Sequence, residues 1–211
     1  MMPWPGAAAP IVADAELPTL SPSRHLMGMS LSARGYTVAE VLEFPADGRR
    51  YELVGGGLLV TPAPEPRHQE LLRRLVVRLS LYLEAQPEPF RLVASPADVS
   101  WDAQTLVQPD LFVVPAAQAT NDWRTYRDLR LAVEIVSPGS RRMDRVEKRR
   151  LYQAQGVGSY WIVDPEARLV EVWGPGDDRP EVVTDELCWR VSPASEEFRV
   201  GVESLFEGMP G

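Results

Sequence analysis

Between Arg67 and Ala85 apolar side chains return at Leu71, Leu72, Leu75, Val76, Leu79, Tyr82 and Leu83, with His68 on the same stripe. That spacing is one face of an α-helix and predicts a long amphipathic helix here. Pro62, Pro64 and Pro66 stand ahead of it, which suits a chain that arrives extended and then turns. Upstream, Thr37 and Glu40 have the spacing of a capping box and open a short helix through Val41 and Leu42. Residues 51–54 and 58–61 flank Gly55, Gly56 and Gly57 and read as a β-hairpin. Downstream the pattern changes to short apolar runs, and strands are expected at 91–94, 97–101, 107–114, 129–136, 159–163 and 169–173. Several are continuous enough to be covered on both faces. Residues 143–155, between the fourth and fifth of these runs, are expected to be helical, begun by Ser140 and stopped by Gly156 in the left-handed conformation. The tail from Gly174 is turn-rich, with short pieces around Trp189 and a closing segment at 200–206.

These elements make an α/β domain with one mixed central sheet flanked by helices. Residues 1–35 carry five prolines within the first 22 positions and no apolar period, so they are expected to be a disordered leader, with one domain over 36–211. The leader lacks a basic start, and Pro10 interrupts its short apolar run, which makes a poor secretory signal. No run approaches the ~18–20 apolar residues of a membrane span. The expectation is a soluble, cytoplasmic protein.

The net charge of −8 argues against non-specific binding to phosphate backbones. Its distribution changes the picture, because residues 1–163 carry 18 acidic and 18 basic side chains and residues 164–211 carry 12 and 4. The acidic excess belongs to the C-terminal part. Basic groups remain at Arg67, Arg73, Arg74 and Arg78, and at Arg141, Arg142, Arg145, Lys148, Arg149 and Arg150; solvated helix faces are the plain reading of both. One cysteine, Cys188, and two histidines exclude a disulfide framework and a Cys- or His-based zinc site. A metal, if used, is held by oxygen, which points to Mg²⁺ or Mn²⁺.

Two strand acids do not belong in a purely packed interior. Asp110 opens the run Leu111-Phe112-Val113-Val114, and Glu134 sits inside Leu131-Ala132-Val133-Glu134-Ile135. Buried carboxylates need a partner or a cation. On adjacent strands ~4.8 Å apart the two can converge on one ion. Lys148 is the third candidate: of 22 basic residues it is the one lysine. A compact ammonium can orient or help deprotonate a water beside a phosphate, while the plain alternative is an exposed Asp144–Lys148 ion pair one helical turn apart. His68 reads either as a packed, hydrogen-bonded histidine or as a substrate contact, and Glu52 either as solvent-facing or as part of a site. Tyr160 and Trp161 are expected to pack the core, and Cys188 to be inert. Ser137-Pro138-Gly139-Ser140 lacks a GxxxxGK pattern, so no nucleotide cofactor is expected.

Tyr51-Glu52-Leu53, the proline-rich approach to His68, Pro109-Asp110, Val133-Glu134-Ile135-Val136-Ser137-Pro138, Asp144 with Lys148, Tyr152, Gly156-Val157 and Tyr160-Trp161-Ile162-Val163-Asp164-Pro165 occur in that order. Together they resemble the Uma-type family of restriction-endonuclease-like proteins, within the PD-(D/E)xK nuclease superfamily, over about residues 36–207. The resemblance implies a metal-dependent endonuclease that hydrolyses DNA phosphodiester bonds, with Asp110 and Glu134 as metal ligands and Glu52 as a third acid. It puts a lysine two residues after the second acid, where this chain has Val136, and Lys148 on the next helix is the substitute. Arg141, Arg142 and Arg145 then contact the DNA backbone, His68 is a further substrate contact, and a homodimer is expected by analogy of fold. The competing expectation is a nuclease-fold binding or scaffold protein that does not cleave.

Overall fold

The computed structural model describes residues 35–118 and 120–209. The leader expected at 1–35 lies, but for Gly35, outside them. Helix α1 (Val38–Leu42) starts from the expected capping box: the Thr37 hydroxyl accepts from the Glu40 amide and the Glu40 carboxylate accepts from the Thr37 amide at 2.9 Å. Strands β1 (Arg50–Val54) and β2 (Gly57–Thr61) form the antiparallel hairpin. Gly55 and Gly56 turn it at φ of 56° and 79°, a region costly for residues with a Cβ. The long helix α2 (Pro66–Glu84) follows, with proline at its first position and Leu71, Leu72, Leu75, Leu79 and Leu83 buried.

Strands β3 (Phe90–Ala94), β4 (Leu111–Pro115), β5 (Leu131–Ile135), β6 (Tyr160–Asp164), β7 (Leu169–Trp173) and β8 (Glu181–Val183) form one sheet in that spatial order. All pairs are antiparallel except β5–β6, whose parallel pairing requires a crossover. The crossover is helical over 141–154: residues Met143–Lys148 take π-helical geometry and α3 (Arg149–Ala154) follows. Gly156 at φ 70° ends it as expected. A second hairpin, β9 (Glu186–Trp189) with β10 (Phe198–Gly201), and the short helix α4 (Glu203–Phe206) close the domain.

Side-chain alternation divides the core in two. Leu111, Val113, Leu131, Val133, Trp161 and Val163 face α2, the β9–β10 hairpin and α4. Phe112, Val114, Ala132, Tyr160 and Ile162 face the crossover helix through Tyr152 and a loop carrying Ala97, Val99 and Val107. A small third cluster of Val41, Leu53 and Leu106 ties α1 and the first hairpin to that loop.

Two expectations need correcting. Residues 97–101 do not form a strand: Ala97 and Val99 are buried alternately, but only Val99 makes a bridge, to Val107. The alternation there reflects a packed loop without a partner strand. The run 107–114 enters the sheet only at Leu111, because Pro109 has no N–H and the Gln108 amide donates to the Glu52 side chain instead of a ladder.

Candidate active site

Glu52 lies midway along β1, opposite Leu59. Its neighbours Tyr51 and Leu53 pack toward α1, so alternation turns Glu52 to the other side, where it is buried. Its Oε1 accepts from the Gln108 amide at 2.8 Å and from Lys148 Nζ at 2.8 Å. Asp110 immediately precedes β4. One further step along the register Leu111↔Val133 sets it opposite Glu134, and opposed residues of an antiparallel pair project to the same face. That is the face covered by the crossover helix.

Glu134 Oε1 accepts from Lys148 Nζ at 2.9 Å and from the Tyr152 hydroxyl at 3.0 Å. Its Oε2 has no hydrogen-bond partner among the described residues. Asp110 is saturated by comparison: Oδ1 accepts from Arg50 Nη2 at 3.0 Å, and Oδ2 from the Ile135 amide at 2.8 Å and from His68 Nε2 at 2.9 Å. The acceptor role of Asp110 assigns the hydrogen of His68 to Nε2. Asp144 Oδ1 stands 3.6 Å from Lys148 Nζ.

The exposed Asp144–Lys148 pair that sequence allowed is thus corrected, since both side chains are buried, at 3% and 2% exposure. Alternation also puts the buried Val136 on the face of Glu134, so an apolar group holds the position where a lysine two residues on would stand. The π-helical turn of the crossover, which covers this same face, supplies the lysine instead. Its wider geometry leaves the Asp144 carbonyl able to accept from the buried Tyr160 hydroxyl at 3.1 Å, which gives Tyr160 a polar contact beyond packing.

Charge decides what these groups can do. Four buried carboxylates, Glu52, Asp110, Glu134 and Asp144, face two permanent cations, Lys148 and Arg50. Burial works against the Lys148 ammonium, but Glu134, Glu52 and Asp144 outweigh it and hold the group protonated far above the ordinary lysine range. Lys148 is therefore a fixed positive charge and not a base. Burial pushes Glu134 well above the carboxylate range and Asp144 up to about 6; Lys148 opposes the rise and the neighbouring acids add to it. Asp110 goes the other way: burial would raise it, but the bonds from His68, Arg50 and the Ile135 amide bring it below its ordinary value.

A hard divalent cation fits this donor set. The donors are all oxygen, the four acids outnumber Lys148 and Arg50 by two when all are ionised, and Glu134 keeps one oxygen free. Among the described residues no three His, Cys, Asp or Glu side chains form a metal cage. The fit is to an ion that needs one or two carboxylates and completes its shell with water and substrate oxygens, as Mg²⁺ does. Asp110 can join only through a remaining lone pair or by releasing Arg50.

The acids and Lys148 form one end of a cavity of about 380 Å³ whose walls include Pro62, Pro64, Arg67, Ser137, Pro138 and Arg141. The predicted DNA-contacting arginines separate here. Arg141 lines the cavity and its guanidinium pairs with Glu166 and, at 3.5 Å, with Asp164. Arg145 is occupied by Asp164 at 2.8 Å and Glu171 at 2.7 Å, and Arg142 is exposed outside the cavity lining. Arg50 is the participant that sequence reasoning passed over. The available signal was its spacing from Glu52, since residues two apart on a strand share a face.

The chain matches the family model Uma2, "Putative restriction endonuclease", over residues 38–203. It superposes on the crystal structure of "a putative nuclease belonging to DUF820" from Anabaena variabilis ATCC 29413 with a TM-score of 0.68 and 18% identity, covering 81% of this chain and 97% of that one. No curated protein matches it significantly.

Proposed function

The chain belongs to the Uma2 family of restriction-endonuclease-like proteins, and on that premise we propose that it is a metal-dependent endonuclease hydrolysing DNA phosphodiester bonds. The observation that carries the reading is a juxtaposition: Asp110 and Glu134, opposed on neighbouring strands, share a buried cluster with Glu52 and Lys148 beside a cavity. Mg²⁺ or Mn²⁺ held by Asp110 and Glu134 would supply Lewis acidity at a phosphate oxygen and lower the pKa of an attacking water. Lys148, always protonated, sits where it can stabilise charge developing on the phosphate. Glu52 holds the lysine from the side opposite Glu134 and is itself fixed by the Gln108 amide. His68 acts through Asp110, whose carboxylate it orients.

The non-cleaving scaffold reading keeps one specific support, the saturation of Asp110 by Arg50, His68 and a backbone amide. Plasmid nicking with Mg²⁺ or Mn²⁺ separates the two. The expected result is cleavage by the wild type that EDTA abolishes and that falls by at least ~10²-fold in Glu134→Ala, the scale of losing one electrostatic catalytic group. Equal cleavage by the two proteins removes Glu134 from the chemistry, and no cleavage by either, with no metal affinity, leaves the scaffold.

A further inference from the structure

Seven buried side-chain polar atoms lack a hydrogen-bond partner among the described residues, and four of them line the one cavity just described: Thr61 Oγ1, Arg67 Nε, His68 Nδ1 and Arg141 Nε. Folded proteins rarely leave such atoms unpaired, so these four bond either water or a bound molecule, and their concentration marks where a polar ligand would be held. Two of the four are arginine N–H groups, which can only donate. At these two positions the expected ligand atom is an acceptor, while Thr61 Oγ1 and the bare His68 Nδ1 can accept from a ligand or a water.

The two arginines meet at the β6–β7 turn. Arg67 donates from Nη2 to the Pro165 carbonyl and has no carboxylate partner among the described residues. Arg141 reaches the next residue, Glu166, whose side chain is 54% exposed, and shares Asp164 with Arg145. Of the basic side chains outside the cavity lining, Arg142 and Arg150 are exposed and most others near it are engaged. Arg73 and Arg74 bind Glu70, Arg74 and Arg78 bind carbonyls at the C-terminal end of the domain, and Arg145 is doubly paired. What remains is a cationic rim above an acidic floor. The rim also carries exposed Glu65, so it is a local seat and not a broad positive face.

We infer that Arg67 and Arg141 form a phosphate seat for single-stranded DNA, holding the phosphate next to the one presented to Glu134 and Lys148. This rests on the nuclease reading of the cavity and adds the substrate class. A duplex presents its phosphates along an extended surface and is bound by many arginines and lysines. This cavity is of small-ligand size and offers two. A flexible unpaired strand can lead single phosphates into such a pocket, whereas a duplex has to deform to do so. Pro62, Pro64, Pro138 and Pro165 give the space stiff apolar walls for sugars or bases.

The test is fluorescence anisotropy of the full chain with a fluorescein-labelled oligothymidylate, in Ca²⁺ buffer and across a salt series. Arg67→Gln and Arg141→Gln are each expected to weaken binding about tenfold and to lower the salt slope by roughly 0.7, the increment for one single-strand phosphate. Arg142→Gln should bind as the wild type does. Arg67 is held by one backbone carbonyl, so its replacement is the one least able to disturb the fold; should the glutamine variant not melt cooperatively, Arg67→Lys, which keeps the charge and loses Nε, takes its place with a smaller loss. Wild-type affinity in both arginine variants, or tighter binding of the matched blunt duplex, overturns the seat. Binding that depends on the arginines in a wild type unable to nick DNA keeps the seat and rejects the nuclease, whereas metal-dependent nicking with undiminished binding in Arg67→Gln does the reverse.

Discussion

Lys148 shows which parts of a single residue's setting are legible in a sequence and which are not. Its status as the sole lysine among arginines marked it, and the structure puts it between Glu52 and Glu134. What composition could not show is that these acids hold its proton and keep it a cation within the cluster. Replacing it isolates that role. Lys148→Met leaves buried acids without their nearest cation and is expected to cost about 3–5 kcal/mol, the scale of removing one partner from a buried ion pair. Adding Glu134→Gln should return part of that loss, because the acid that has lost its cation is then neutral. Urea denaturation of the two single variants and the double variant measures the coupling, and strict additivity would mean that the two groups do not depend on each other. Arg145 is the opposite case. Its position on a basic helix face was plain, yet its partners Asp164 and Glu171 lie 19 and 26 residues on, beyond the reach of any local pattern.

At the scale of elements, period and punctuation were informative where local chemistry decides the outcome. The capping box of α1, the glycine turn of the first hairpin and the leucine stripe of α2 all depend on neighbours within one turn, and all were readable. The loop over 97–101 was not, since alternating burial looks the same whether a ladder or a packed loop produces it. Nor was the π-helical turn, which exists because tertiary contacts hold it. Tyr160 on β6 donates to the Asp144 carbonyl inside that turn, so the sheet and the helix that delivers Lys148 are coupled through one buried hydroxyl. The Asp144 carbonyl keeps its bond from the Arg149 amide, so Tyr160→Phe should cost about 0.5–1.5 kcal/mol, the net worth of one hydrogen bond. It should also reduce cleavage more than substrate affinity, because Lys148 shifts while the rim arginines do not. A variant with unchanged stability and unchanged turnover would show that the turn persists without this bond.

For the whole molecule, the acidic C-terminal part turns out to be structural. Its β9–β10 hairpin and α4 cover one face of the sheet, and Asp164 ties Arg141 and Arg145 to the β6–β7 turn while accepting from the amides of Glu166 and Ala167. Burial would raise Asp164, but those amides and arginines bring it below its ordinary value. Its stabilising contribution is present above about pH 4 and is lost as pH falls through the depressed value. Asp144 has the opposite sign. Burial lifts it from 3.8 to about 6, so the native state holds more protons than the unfolded chain across that interval and stability declines as pH rises through it. The two together predict that the protein in EDTA is most stable near pH 4 and loses stability from there to about pH 6. Asp144→Asn should flatten the decline toward pH 7. Millimolar Mn²⁺ should raise Tm at pH 7 and hardly at pH 5, because the ion stabilises the ionised cluster and competes with protons for it. Thermal melts from pH 4 to 8 with and without Mn²⁺ measure both effects. A Tm that climbs steadily to pH 8 in EDTA, with no response to the ion, would mean that the surplus negative charge of the cluster is already neutralised within the fold.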